Sequence, residues 1–170
     1  MIVVPGFRTA RLRLRAFAES DLDAYAAMSA DPEVMRYLGT GGTVDREGSW
    51  RQMALFLGHW ALRGHGLWAV ERRDDGRFIG RVGFLSPEGW PGVEIAWTLA
   101  REAWGHGYAH EATSAAIGFG RDQLGLGPLI SLIRPDNVRS HRLAQRLGAT
   151  DTGVIDFLGG QAHLYRHPDA

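Results

Sequence analysis

The sequence predicts one α/β (α+β) domain over residues 1–170, a mixed, mostly antiparallel sheet of about seven strands with helices on both faces. Three observations predict it. The run Arg11-Leu12-Arg13-Leu14-Arg15 alternates strictly between charged and apolar residues, as a half-buried strand does. Between residues 50 and 61 apolar side chains recur at helical spacing. Beyond residue 66 short apolar runs are punctuated by turn residues, the pattern of successive strands.

Taken in order, the first strand is followed by Ser20, read as the N-cap of a helix through Asp21-Leu22-Asp23. Asp31-Pro32 starts a second helix, which Gly39 and Gly41-Gly42 end. From Trp50 the stripe Trp50, Met53, Ala54, Leu57, Trp60 and Ala61 marks one face of a third helix, stopped by Gly64 and Gly66. Leu67–Glu71 and Phe78–Leu85 form a hairpin about Asp74-Asp75-Gly76, and Val93–Leu99 follows a turn over Pro87–Gly92. A glycine-spaced loop opens a helix from about Gly107 to Leu124. Leu129–Ile133 is a short strand buried on both faces. Val138–Leu147 is a helix with Gly148 just past its end, and Val154–Leu158 with Ala162–Arg166 closes the chain as a hairpin.

Composition narrows the function. Nineteen basic residues balance nineteen acidic ones, which gives no support to nucleic-acid binding, although a local patch is compatible with that balance. The absence of cysteine removes a disulfide framework, a thiolate nucleophile and a thiolate-ligated metal. Met1–Phe7 lacks the pattern of a signal peptide, and no run approaches the roughly 20 apolar residues of a membrane span. The expectation is a cytoplasmic, soluble protein with no membrane partner.

The most informative segment is Glu94-Ile95-Ala96-Trp97-Thr98-Leu99, followed by Trp104-Gly105-His106-Gly107-Tyr108-Ala109. A strand thus leads through a glycine loop into a helix whose first turn is small. Such a start presents unpaired N–H groups and the positive end of the helix dipole, which suits a pyrophosphate. Glycines let the backbone approach the phosphates. Alone the pattern is weak, since many helix starts look like this and bind nothing. A dinucleotide fingerprint would need Ala112 in place of its third glycine and a parallel βαβ unit, whereas the upstream strands read as antiparallel hairpins. A second segment, Asn137-Val138-Arg139-Ser140, opens the next helix, where Asn137 can serve simply as a cap.

These segments, in this order, resemble the GNAT superfamily of N-acetyltransferases, and most closely its ribosomal-protein N-terminal (Rim-type) branch. The opening Thr9-Ala10-Arg11-Leu12-Arg13-Leu14-Arg15 and the final hairpin fit that branch too, so the resemblance covers nearly the whole chain. It departs from the superfamily's phosphate loop at Trp104, which stands where Gln or Arg is usual, while Gly107 and Ala109 hold the two small places. The resemblance implies acetyl-CoA as co-substrate, an amine acceptor, no metal, and a homodimer. Residues from Trp97 and Leu99 through Trp104, Gly105, His106, Gly107, Tyr108 and Ala109 would hold the cofactor. Asn137 would bind its pantetheine arm, and Ser140 would lie near the thiol.

A protonated amine cannot attack a thioester, so a base is needed, and Glu94 is the candidate. Its neighbours Val93, Ile95 and Trp97 suggest desolvation of its carboxylate, and exposure on an open strand face is the plain alternative. A backbone N–H on the same strand would stabilise the oxyanion. Ser140 would hydrogen-bond the departing sulfur, with Tyr108 and Tyr165 as alternative donors. His106 and His110 share the spacing of a metal edge but lack the carboxylate–histidine pattern that would complete one. Contacts to the acceptor are expected from about Val34 to Gly48, where Gly39–Gly42 would form a lid, and from the final hairpin. Trp90 would line that pocket, and Asp45 and Glu47 would attract a cation or serve as caps and surface. The competing reading is a non-catalytic domain that binds or senses acyl-CoA.

Overall fold

The computed structural model describes residues 2–169. Eight strands form one sheet: β1 (Phe7–Arg8), β2 (Leu12–Arg15), β3 (Leu67–Arg72), β4 (Phe78–Leu85), β5 (Val93–Leu99), β6 (Leu129–Ile133), β7 (Thr150–Phe157) and β8 (Gly160–Arg166). Their spatial order is β1-β2-β3-β4-β5-β6-β8-β7. The strand beyond the seven expected is β1, two residues long, pairing Phe7 with Leu14 and Arg8 with Arg13. All neighbours are antiparallel except β5 and β6. A parallel pair needs a crossover, supplied by helix α4 (Tyr108–Leu124). The chain therefore does contain one βαβ unit, set in the middle of an otherwise antiparallel sheet.

Helices α1 (Leu22–Ser29), α2 (Pro32–Met35) and α3 (Arg46–Arg63) cover one face, and α4 with α5 (Val138–Arg146) covers the other. On the α4 side Leu12, Leu14, Trp68, Val82, Phe84 and Ile95 meet Ala112, Ala116 and Ile117. On the opposite side the aromatic residues Phe17, Tyr25 and Phe56 pack with Met53 over Leu67 and Ala69. Gly120, inside α4, marks how closely helix and sheet approach, since a Cβ there would stand 2.3 Å from Phe84 Cζ.

Several local expectations are corrected. Ser20 caps nothing: Glu19–Asp21 is a 3₁₀ turn, and α1 begins at Leu22 without a side-chain cap. The reason is Asp21, buried, which accepts both terminal nitrogens of Arg15 at 2.8 Å and the N–H of Ala18 at 2.8 Å. Helix α2 ends at Met35, well before Gly39. Helix α3 starts at Arg46, capped by Asp45 Oδ1 accepting from Gly48 N at 2.8 Å. Its buried face is Ser49, Met53, Phe56, His59 and Trp60, so the stripe is rotated from the one expected. Trp50 is 47% exposed and Ala54 and Ala61 face solvent, because Phe56 is drawn into the cluster with Phe17 and Tyr25. The last hairpin begins at Thr150, four residues earlier than read.

Candidate active site

Strands β5 and β6 pair only through Val93–Leu129 and Glu94–Ile130, then part. The next carbonyl of β5, that of Ile95, accepts from the Ser131 hydroxyl at 2.7 Å instead of from a backbone N–H of β6. The same hydroxyl meets His167 Nε2 at 2.8 Å. Because Ser131 gives its proton to Ile95, it accepts from His167, which fixes that ring as the Nε2–H tautomer and leaves its buried Nδ1 without a partner. Burial, together with the nearby Arg121 charge, lowers the His167 pKa to about 4.

The other edge of β5 pairs with β4 in regular register, Gly80 opposite Leu99 and Arg81 opposite Thr98. Ala100 N donates to Ile79 O, so bonded pairs recur at Thr98, Ala96 and Glu94. The backbone groups of Ile95, Trp97 and Leu99 therefore point toward the gap left by β6. Ser131 occupies the Ile95 carbonyl, and the Trp104 indole N–H occupies that of Leu99 at 3.0 Å. The N–H groups of Trp97 and Leu99 remain directed at the opening.

The start of α4 faces the same gap. Gly107, its N-cap, adopts φ of 79° and has no side-chain oxygen to offer, so the first helical N–H groups stay free. Across the gap Asn137 caps α5, its Oδ1 accepting from Ser140 N at 3.3 Å. Ser140 Oγ in turn accepts the Trp97 indole N–H at 3.1 Å, leaving its own proton to donate. Arg139 lies over the Trp104 ring, 3.7 Å from its centroid, and so joins the two lips.

These parts enclose a cavity of about 700 Å³. Trp97, Leu99, Trp104, Gly105, Gly107, Tyr108, Ala109, Asn137 and Ser140, all picked out from sequence, line it; His106 does not. The lining also includes Arg36, Arg139, Arg142 and Arg146 against Glu33 and Asp136, so a neutral chain concentrates positive charge here. The three α5 arginines were missed, although their spacing of three and four residues places them on one helical face. Thr98 was missed as well: the residue borders the cavity, and its buried hydroxyl has no partner.

Glu94 is buried, only 7% exposed, and does not line the cavity. Desolvation raises its pKa to about 7, while the Trp90 indole, the Arg81 guanidinium and the Leu132 backbone N–H pull the other way. The upward shift matches the sequence expectation; its source does not. Val93, Ile95 and Trp97 belong to the α4 face, and alternation turns Glu94 to the opposite face with Ala96 and Thr98. Trp90 packs edge-on against Phe157, 4.9 Å between ring centroids.

Other candidates have partners of their own. Tyr165 OH lies 2.8 Å from His141 Nδ1, and Tyr108 lies beneath Arg11. Asp45 caps α3 and Glu47 pairs with Arg51, the plainer of their two readings. Gly39, expected in a lid, is tied down through its carbonyl to Arg134 Nη2 at 2.6 Å. Among the described residues no cluster of potential ligands could hold a metal, and no helix is long and apolar enough to cross a membrane.

Residues 11–150 match the family model described as the acetyltransferase (GNAT) domain. The chain belongs to the GNAT acetyltransferase family. It is 30% identical over 152 residues to the uncharacterized N-acetyltransferase YoaA of Bacillus subtilis strain 168, covering 89% of this chain and 86% of that protein. The structure of an acetyltransferase from Agrobacterium tumefaciens strain C58 superposes with a TM-score of 0.87 at 30% identity, over 99% of this chain and 97% of that one. RimL, a ribosomal L7/L12 α-N-protein acetyltransferase solved with coenzyme A, shares the fold at a TM-score of 0.79 and 18% identity, over 94% of each chain. An acyltransferase fold thus encloses the cavity, and the GNAT membership read from the sequence holds.

Proposed function

We propose that the protein transfers an acetyl group from acetyl-CoA directly to a primary amine within a ternary complex. One observation carries this: the unpaired edge of β5 and the uncapped start of α4 open into a single positively charged cavity. The helix start suits the CoA pyrophosphate, and the β5 edge suits the amide-bearing pantetheine arm. Homology to a CoA-bound acetyltransferase fold supports the same donor.

In this reading the amine nitrogen attacks the thioester carbon, and its proton passes through a water to Glu94, whose raised pKa lets it act near neutrality. A backbone N–H of Trp97 or Leu99 stabilises the oxyanion. The C–S bond then breaks, and the thiolate leaves with the Ser140 hydroxyl donating to it. Acetyl-CoA is an intracellular metabolite, which supports a cytoplasmic location for this activity.

Thermal stability with and without acetyl-CoA, followed by thiol release across peptide N-termini, polyamines, amino acids and aminoglycosides, tests the proposal. A rise in melting temperature and release with one amine class are expected. A ligand at a hundred times its dissociation constant stabilises by about 2.7 kcal/mol, so an unchanged melting temperature at saturating acetyl-CoA would overturn the donor assignment. Binding without release for any amine would favour the sensing domain instead.

A further inference from the structure

The opening Thr9-Ala10-Arg11 lies outside the cavity and plays no part in the chemistry above, yet it is bonded to the loop that borders the cavity. Arg11 Nη1 donates to the carbonyl of His106 at 2.9 Å, and its Nε donates to Glu111 Oε2 at 2.6 Å. The other carboxylate oxygen of Glu111 accepts from the Arg11 backbone N–H at 2.8 Å and from the Thr9 hydroxyl at 2.6 Å. Arg11 also covers the Tyr108 ring, 4.5 Å from its centroid, and its Nη2 lies 3.5 Å from where a Cβ of Gly107 would stand. The Thr9–Ala10 turn is itself held, both carbonyls accepting from Arg73 Nη1 at 2.7 and 3.1 Å.

The loop needs such support. Gly105 and Gly107 both adopt positive φ, 78° and 79°, and glycines lose the most entropy on being fixed. No side chain caps α4 to organise it. A second effect concerns charge. Glu111 sits in the first turn of α4, where a free carboxylate would compete with an anion for the unpaired N–H groups. Here three donors turn it toward the β2 side.

We propose that Thr9, Arg11 and Glu111 form a clasp that fixes the Gly105–Gly107 loop and withdraws the Glu111 carboxylate from the α4 N-terminus, so that the loop is preorganised for the CoA pyrophosphate. The ligand half of this inference rests on the acetyl-CoA reading; the ordering half does not. None of the three residues lines the cavity, so all act as positioning residues.

The test compares R11M, R11K and E111Q with R13M, a control that removes another 48%-exposed arginine, paired with Glu71 at 3.2 Å. In the ligand-free protein, ¹⁵N relaxation should show Gly105 and Gly107 order parameters near 0.85 in the parent and R13M proteins, falling below about 0.6 in R11M. R11M should weaken acetyl-CoA binding about tenfold by calorimetry, the scale expected of a misplaced supporting contact. Because Lys reaches Glu111 or His106 but not both, R11K should lie between. E111Q should weaken binding less than R11M.

Unchanged order parameters in R11M, or CoA affinities equal in R11M and R13M, would overturn the clasp. Tighter binding by E111Q would also overturn it, showing Arg11 to be a simple counter-charge for the phosphate. A parent protein that binds no acetyl-CoA but shows the relaxation change in R11M would retain loop ordering and refute the ligand assignment.

Discussion

Glu94 offers the sharpest test, because its burial has a thermodynamic signature independent of any substrate. Its pKa rises from 4.5 in the reference state to about 7, chiefly through desolvation. At 1.36 kcal/mol per pKa unit, this carboxylate costs the folded state about 3 kcal/mol once ionised, an upper figure for a site that relaxes. Between pH 4.5 and 7 the folded protein holds a proton that the unfolded chain has released, so stability falls as pH rises through that window. Glu94→Gln removes the ionisation and keeps the shape. The urea midpoints of parent and E94Q should therefore lie close at pH 4 and diverge until about pH 8, with E94Q the more stable. The same gap amounts to roughly 10 °C in melting temperature for a chain of this size. Comparing the two proteins cancels the other titrating groups. E94Q should also lower kcat/KM by a factor on the order of 10² to 10⁴, and the parent's rate should climb through neutrality. Parallel stability curves across the pH range would refute the desolvation argument, whatever the activity data show.

Other perturbations probe other parts of the structure. Ser140→Ala should lower kcat about tenfold with little change in the KM for acetyl-CoA, and should cost about 1 kcal/mol by leaving the Trp97 indole N–H unpaired; steady-state thiol release and urea melts read both. Gly120→Ala places a Cβ 2.3 Å from Phe84 Cζ and should destabilise by about 1–3 kcal/mol, whereas Gly58→Ala, whose Cβ meets nothing within 4 Å in α3, should stabilise by up to about 1 kcal/mol; the urea midpoints should move in opposite directions. His167, lowered to about 4 from 6.5, excludes a proton that the unfolded chain binds, so stability should drop as pH falls from 6.5 to 4 by at most about 3 kcal/mol, and His167→Gln should flatten that slope.

The fold was legible because its signals are local. The alternation of Arg11–Arg15, the glycines closing α3 and α4, and the hairpin at Asp74–Gly76 each report on neighbouring residues, and each element appears. Errors arose where a distant partner decides. Ser20 looks like a cap until Arg15 claims Asp21, and Trp50 looks like core until Phe56 joins the cluster of Phe17 and Tyr25. The site was legible for a related reason, since the glycine loop and Asn137–Ser140 are contiguous segments, and nine of the candidate residues on them and on β5 meet in one cavity. The α5 arginines were not, because charge at helical spacing is more often a solvated face than a pocket wall.

The gap between β5 and β6 is the feature that no local signal announces, although the proposed site depends on it. Parallel strands that begin in register would ordinarily continue to pair, since an abandoned carbonyl in the interior costs about 1–3 kcal/mol. Ser131 removes that cost at Ile95 with one hydroxyl, and His167, which also donates its backbone N–H to Leu129 O, holds the hydroxyl in place. Trp104 does the same for the Leu99 carbonyl from the opposite lip. Both substitutes satisfy acceptors, and neither touches the N–H groups of Trp97 and Leu99. The gap thus keeps two of its carbonyls satisfied without a ligand and leaves open the Trp97 and Leu99 N–H groups together with the Trp97 carbonyl, a pattern that suits the amides of a pantetheine arm. A serine in an apolar strand and a histidine near the end of the chain acquire this role only when β6 and β8 are placed side by side, with Ser131 opposite Tyr165.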